Sequence, residues 1–117
     1  MDSRNILFHF SGAYRQQDFY KGEDIEEIDC EHLQGTSCCL DRKTREWLEE
    51  RIEAEGTGGI HFLDSGNYHY MTRLWIEQIT QPFDLLVLDH HTDMDVPMLK
   101  ELLTCGSWLR DAVEGQE

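Results

Sequence analysis

The segment LLVLDHHTDMD, residues 85–95, places carboxylates and imidazoles directly after a short apolar run. In an extended chain, side chains two residues apart point to the same side. Asp89, His91 and Asp93 would then converge, while His90 would face away. Two carboxylates and a neutral imidazole suit a divalent ion such as Mn²⁺, Mg²⁺, Fe²⁺ or Zn²⁺. The spacing therefore predicts a metal-ligand segment, and the alternative is a solvated loop in which Asp89 caps a turn.

A second polar cluster, DSGNYHY at residues 64–70, follows another short apolar run and contains His69. In an open parallel sheet, ligands bind outside the carboxyl ends of the strands, where the loops converge. A single histidine at such a position is more often structural. The nearby D-x-H-x-D spacing instead favours His69 as a further ligand of the same site.

The elements that must position both clusters are predicted from apolar periodicity and turn residues. Strands are predicted at residues 5–10, 25–30, 60–64 and 84–89, the second near a sheet edge and the last buried on both faces. Helices are predicted at residues 41–55, with Trp47 and Leu48 in the core, and at residues 68–79. The order strand, helix, strand indicates a βαβ unit, and hence an α/β sandwich with a mostly parallel sheet.

Composition limits the functional classes. The 117 residues are enough for a single domain, spanning 1–117, and 24 acidic against 10 basic residues give a net charge of −14. This charge repels nucleic acid and anionic membrane surfaces and attracts cations, although an acidic surface also serves solubility alone. No apolar run approaches the roughly 20 residues that cross a bilayer, so we expect a cytoplasmic protein without a membrane partner.

The four cysteines are expected to be thiols in that compartment. Cys30, His32, Cys38 and Cys39 form an alternative zinc cluster, but their spacing departs from the usual C-x₂₋₄-C pattern. Cys105 is a second alternative, as a nucleophile, against the default of a buried thiol.

Three segments together carry a family resemblance: GNYHY followed by a helix, an apolar strand running into DHHTD, and TCGSW about a dozen residues later. They resemble the ureohydrolase superfamily, which includes arginase and agmatinase, and look closest to its uncharacterised arginase-like branch. The resemblance covers roughly the N-terminal half of such a fold, residues 5–113. It implies a three-layer α/β sandwich, incomplete here, with a mostly parallel sheet.

In that family a histidine after one strand, an Asp-x-His-x-Asp motif after the next, and a later Asp-x-Asp pair hold two manganese ions. The resemblance implies that His69 is the first ligand and that Asp89, His91 and Asp93 form the second motif. Tyr68 stands where the family has an aspartate before the histidine.

The TCGSW segment resembles the family's substrate-side loop. Its members here are Thr104, Cys105, Gly106 and Ser107, with Ser107 where an asparagine is usual. The later Asp-x-Asp pair does not occur before Glu117. Because that pair supplies two carboxylates, this chain alone is expected to bind at least one ion weakly and to generate hydroxide poorly.

The leading hypothesis is a divalent-metal hydrolase, with Mn as the expected ion, acting on a C–N bond of a small substrate, cationic ones included. The alternative is a non-catalytic, shortened arginase-like domain that acts through association. A sheet without its usual covering strands would expose backbone groups and apolar surface, so we also expect a homo-oligomer.

Overall fold

The computed structural model describes residues 5–99 and 101–115. Five strands are present: β1 (Asn5–His9), β2 (Ile25–Asp29), β3 (Cys39–Leu40), β4 (His61–Phe62) and β5 (Leu103–Thr104). Three α-helices accompany them: α1 (Arg42–Glu55), α2 (Met71–Ile76) and α3 (Trp108–Glu114). Two short 3₁₀ helices occupy Ala13–Gln16 and Gly66–Tyr68. The described residues therefore form a mixed α/β fold.

A three-stranded parallel sheet has the order β2-β1-β4, and a separate antiparallel pair joins β3 to β5. Asn5 pairs with Ile25 and Ile6 pairs with His61, so β1 is the central strand. The predictions of strands at residues 5–10 and 25–30 are confirmed, including the edge position of the acidic β2. The strand predicted at residues 60–64 is shorter, at His61–Phe62.

Both faces of β1 are covered, because Ile6, Leu7, Phe8 and His9 are all buried. On one face Phe8 meets the ring of Trp75 from α2 edge to face, at 5.5 Å between ring centroids. On the other face His9 contacts the ring of Tyr20, which belongs to the loop after β1. Among the described residues, loop aromatics thus occupy the position that a second helical layer would take.

The prediction of a helix at residues 41–55 is confirmed almost to the residue. Asp41 accepts a hydrogen bond from the Thr44 backbone N–H at 2.8 Å, which satisfies an unpaired donor of the first turn. Gly56 ends the helix with φ of 81°, a backbone conformation that glycine adopts without steric cost. Leu48 is fully buried, but the placement of Trp47 in the core is wrong: Trp47 is 39% exposed. Adjacent helical residues lie about 100° apart around the axis, so the two cannot share the centre of one buried face.

The helix predicted at residues 68–79 is only partly formed. Tyr68, the first residue of the predicted helix, instead ends the 3₁₀ turn Gly66–Tyr68. Within that turn the Asn67 N–H donates to the Ser65 hydroxyl at 3.3 Å. The α-helix itself begins at Met71 and ends at Ile76. Met71 and Leu74 are fully buried, and Ile79 lies beyond the helix with 37% exposure.

The buried strand predicted at residues 84–89 is wrong. These residues form no strand, and Leu86 and Leu88 are 83% and 89% exposed. An apolar run becomes a sheet strand only where a neighbouring backbone pairs with it, and no described strand lies beside this segment. The predicted βαβ unit is therefore not completed within residues 5–99 and 101–115.

No helix among the described residues is both long enough and apolar enough to span a bilayer.

Candidate metal centre

His69 lies at the junction of the 3₁₀ turn and α2. Its backbone N–H donates to the Gly66 carbonyl at 3.1 Å, which fixes the start of the side chain. The imidazole packs at a tilt against the ring of Trp108, with 4.9 Å between ring centroids. The side chain remains 30% exposed, so one ring nitrogen can face a ligand while the ring stays anchored.

Asp89 is oriented by the two residues that follow it. The His91 backbone N–H donates to Asp89 Oδ1 at 3.0 Å, and His91 Nδ1 lies 3.1 Å from the same oxygen. The backbone hydrogen bond is the main reason why the pKa of Asp89 falls to about 2. Asp89 is therefore an anion at neutral pH, and its second oxygen, Oδ2, points toward His69.

Asp93 is a buried carboxylate, with 4% exposure. Its Oδ2 accepts a hydrogen bond from Trp108 Nε1 at 2.9 Å, and its backbone carbonyl accepts from the N–H groups of Leu109 and Arg110 at 3.1 Å each. Burial raises the pKa of Asp93, and the carboxyl of Asp89 raises it further, while the Trp108 hydrogen bond lowers it. The start of α3 thus holds Asp93 by both its side chain and its backbone.

These three side chains, which we call the cation cluster, converge on one small volume. His69 Nδ1 lies 3.3 Å from Asp89 Oδ2 and 3.6 Å from Asp93 Oδ2. One ligand atom from each residue falls within 4.8 Å of the others. Two ligands about 2.1 Å from one ion and at right angles are separated by roughly 3.0 Å. The observed separations are close to that spacing, so the three residues fit a small divalent cation.

His91 is the one predicted ligand that is not brought into the cation cluster. Its side chain is 83% exposed, and it contacts Asp89 on the side away from His69. The backbone of Asp93 has φ of 55°, so the chain turns into the left-handed region instead of continuing as a strand. The chain also bends at His90 and His91, so the two-residue alternation that would align the three side chains is already broken at His91.

The predicted substrate-side residues lie next to the segment that contains Asp93. The Asp95 N–H donates to the Gly106 carbonyl at 3.0 Å, which joins the two segments. The hydroxyls of Thr104 and Ser107 are 2.6 Å apart and bond to each other. Ser107 is only 2% exposed, whereas Thr104, Cys105 and Gly106 are half-buried. Ser107 is thus a structural residue of this loop, and its neighbours are the ones that a small molecule can reach.

The alternative zinc cluster is not formed. Among residues 5–99 and 101–115, His69, Asp89 and Asp93 are the one group of three or more potential ligands within reach of a single ion. Cys30 is fully buried, and burial raises the pKa of its thiol to about 12. His32 packs edge to face against Trp47 instead of approaching the cysteines as a ligand.

Sequence reasoning missed the role of Trp108 and assigned none to Asp64. Asp64 accepts hydrogen bonds from the Ser11 N–H and hydroxyl at 2.9 and 2.8 Å, which ties together the loops that follow β1 and β4. The signal for Trp108 was present, because TCGSW places an indole N–H donor directly after the predicted substrate-side loop. Nothing in its spacing indicated that this donor reaches back to Asp93.

Comparison with known proteins finds a relative that is similar over part of the chain. A stretch of 56 residues is 41% identical to an uncharacterised protein of Thermotoga maritima. The stretch covers 48% of this chain and 22% of the relative, so the chain matches well under two thirds of that protein's length. No family model matches the chain. No solved structure matches it either.

Proposed function

We propose that this chain binds a divalent cation through His69, Asp89 and Asp93, as part of a metal-dependent hydrolase of arginase-like type. The observation that carries the proposal is the convergence of one imidazole nitrogen and two carboxylate oxygens within 4.8 Å. These residues come from two separate segments of the chain, so local sequence alone does not bring them together. The wider resemblance to a three-layer arginase-like sandwich is part of the same proposal.

The electrostatics of the two carboxylates support a cation. Asp89 and Asp93 both lie beside His69 Nδ1, and their pKa values move in opposite directions, that of Asp89 down and that of Asp93 up. Two adjacent carboxylates repel each other when both are ionised. A divalent cation between them would relieve that repulsion. Burial of Asp93 strengthens the attraction, because screening by water is weaker there.

The donor set also bears on the identity of the ion. Oxygen ligands with one imidazole and no thiolate suit Mn²⁺ and related divalent ions better than structural zinc. Asp93 is held by Trp108 and Asp89 by the His91 N–H, so both carboxylates are oriented before an ion arrives. When bound, such an ion acidifies water and polarises a substrate oxygen or nitrogen.

The proposed substrate is a small molecule with a C–N bond next to a cationic group. The net charge of −14 favours the approach of cations over anions. Thr104 and Cys105 are half-buried beside the segment that holds Asp93, and they would line the substrate side. Assembly with further copies or further chain would complete the set of ligands that two metal ions require.

Titration with Mn²⁺, followed by calorimetry and by the loss of the free-ion EPR signal, tests the cation site. We expect about one ion per chain, and at least about a tenfold weaker affinity, or roughly 1.4 kcal/mol, in His69→Ala, Asp89→Asn and Asp93→Asn. Asp84→Asn is the matched control, since it removes an exposed carboxylate upstream in the same segment. Equal affinity in all four variants would refute the site.

Two further measurements test the set of metal ligands and the hydrolase activity separately. His91→Ala should retain most of the affinity if the three-residue cluster is the complete set from this chain, and a loss matching that of His69→Ala would show that His91 swings in. Release of urea or ammonia from guanidinium compounds with Mn²⁺ present tests the hydrolase claim. Turnover that survives His69→Ala would exclude catalysis at this site.

A second candidate function, association, is favoured by the uncovered segment, residues 84–99. Leu86, Leu88 and Met98 are 83%, 89% and 100% exposed, and a groove of about 680 Å³ adjoins the segment between Phe83 and Val113. Large exposed apolar side chains beside an apolar groove are typical of interaction sites. We propose homo-oligomerisation through this segment. Light scattering after size exclusion should show an oligomer that Leu86→Glu dissociates, whereas Ile60→Glu, at an exposed apolar residue outside this segment, should not.

A further inference from the structure

Cys38 and Cys105 lie opposite each other at the end of the small antiparallel sheet. In that sheet Cys39 pairs with Thr104 and Leu40 with Leu103, so the same register places Cys38 across from Cys105. The Cys105 N–H donates to the Cys38 carbonyl at 2.9 Å, which shows that the pairing extends beyond the strand ends. The two cysteines are thus held together by backbone that does not depend on their thiols.

The distance between such residues suits a disulfide. Cys38 has φ of 70°, so regular strand geometry ends there, and the 2.9 Å backbone hydrogen bond is what holds it opposite Cys105. Hydrogen-bonded residues of an antiparallel pair have Cα atoms about 5.5 Å apart, which is within the roughly 4.4–6.8 Å that disulfides span. The two thiols also influence each other electrostatically, because after burial the Cys38 thiol is the next cause of the raised pKa of the Cys105 thiol. The backbone pairing therefore allows an S–S bond without a large movement of the chain.

The Cys38 and Cys105 thiols differ in accessibility, and this difference indicates which of them reacts first. Cys38 is exposed, and its backbone is held by a bond from its N–H to the Asn67 carbonyl at 2.9 Å. Cys105 is half-buried and packs against the core. An exposed thiol is the one that meets an oxidant in solution, and a sheltered neighbour is suited to attack the resulting adduct.

We propose that Cys38 and Cys105 are a redox modification site that forms a reversible intramolecular disulfide by exchange with a low-molecular-weight disulfide. The Cys38 thiolate attacks one sulfur of the small disulfide, forming a mixed disulfide and releasing one small thiolate. Cys105 then loses its proton to solvent and attacks the Cys38 sulfur, which releases the second small thiol. Two protein thiols are oxidised, and one small disulfide is reduced to two thiols.

The remaining cysteines are poorly placed for the same reaction. Cys30 is fully buried, and its thiol has a pKa of about 12, so little thiolate is present near neutral pH. Cys39 stands opposite Thr104 in the sheet, which offers it no thiol to pair with. The structure therefore singles out one pair among four thiols. This inference depends on neither the cation cluster nor the proposed hydrolase activity.

Peptide mapping under non-reducing conditions tests the pairing. The reduced protein is incubated with oxidised glutathione, remaining thiols are alkylated, and the digest is analysed by mass spectrometry before and after dithiothreitol. We expect a Cys38–Cys105 cross-link that dithiothreitol removes, in the wild-type protein and in the control variants Cys30→Ser and Cys39→Ser. We also expect the oxidised protein to unfold at a higher urea concentration than the reduced one.

Each other result would overturn the proposal. These results are a cross-link between any other pair, disulfide-linked dimers, glutathione adducts without ring closure, or a cross-link that persists in Cys38→Ser or Cys105→Ser. Because the decisive mapping uses the wild-type protein, misfolding of a variant does not leave the question open. Circular dichroism of each serine variant confirms that its fold is intact before the variant is compared.

Discussion

Trp108 Nε1 donates a 2.9 Å hydrogen bond to Asp93 Oδ2, and this bond joins the first residue of α3 to the buried carboxylate of the cation cluster. The same indole packs against the imidazole of His69. One side chain thus orients two of the three proposed ligands. Groups that hold metal ligands in this way typically contribute about 10–100-fold to metal affinity.

Replacing Trp108 with phenylalanine removes the N–H donor while keeping an aromatic ring. We expect Mn²⁺ affinity to fall about tenfold or more, because Asp93 loses the bond that orients it. Calorimetric titration measures the effect. Trp47→Phe is the control, since Trp47 is partly exposed on α1 and donates no hydrogen bond to the cluster. Equal affinities for the two variants would mean that Trp108 only packs.

The buried thiol of Cys30 predicts a loss of stability at alkaline pH. Burial raises its pKa from 9.0 to about 12, so the unfolded chain loses this proton at a lower pH than the folded chain does. The contribution of Cys30 to the free energy of unfolding is fully present below pH 9 and is lost as the pH rises toward 12. The free energy of unfolding then falls by at most about 1.4 kcal/mol per pH unit. Urea unfolding at several pH values should show a shallower decline for Cys30→Ala. An identical slope in both proteins would contradict the assignment.

The buried face of α1 predicts unequal effects of two neighbouring substitutions. Leu48 is fully buried and Trp47 is 39% exposed. Leu48→Ala should lower the free energy of unfolding by about 2–5 kcal/mol, because it removes buried methyl groups and leaves a cavity. Trp47→Ala should lower it by less, although tryptophan is the larger residue. Urea denaturation of both variants measures the order, and the reverse order would place Trp47 in the core after all.

The ion pair between α2 and α3 predicts a larger loss than a surface pair. Arg73 Nε donates to Asp111 Oδ2 at 2.7 Å, and Arg73 is 8% exposed. Asp111→Asn removes the nearer of two carboxylates that pair with this nearly buried guanidinium, the other being Glu77 at 3.9 Å, so we expect a loss of about 1–3 kcal/mol. Asp18→Asn, which breaks an exposed pair with Lys21, is the control and should change stability by less than about 1 kcal/mol. Thermal unfolding compares the two.

Prediction from the sequence succeeded for elements that are defined by residues close together in the chain. The Asp41 cap, the apolar spacing around Leu48 and the glycine at position 56 are sufficient to define α1. The run at residues 84–89 was misassigned because a strand also requires a partner backbone, which no local pattern specifies. Burial of Leu86 and Leu88 depends on what lies beside them, not on their own hydrophobicity.

The candidate site was predictable in part for the same reason. His69, Asp89 and Asp93 follow from polar residues placed at the ends of apolar runs, and the structure brings all three together. His91 does not join them, because the chain bends at His90 and His91, where the His91 N–H donates to Asp89, and residue spacing does not record such a bend. The Trp108 hydrogen bond spans two elements separated along the chain, so only the tertiary structure reveals it.

Because Asp93 has a left-handed backbone, the residues that favour folding at position 93 differ from the residue that the proposed cation site needs. Asparagine and glycine adopt a φ near 55° more readily than most residues, and neither buries a charge. A library randomised at position 93 and selected only for resistance to proteolysis should therefore accumulate Asn and Gly. Selection for retention on an immobilised Mn²⁺ probe should return Asp. Under the proposed cation site, position 93 keeps a carboxylate at a backbone conformation that asparagine or glycine would adopt more easily.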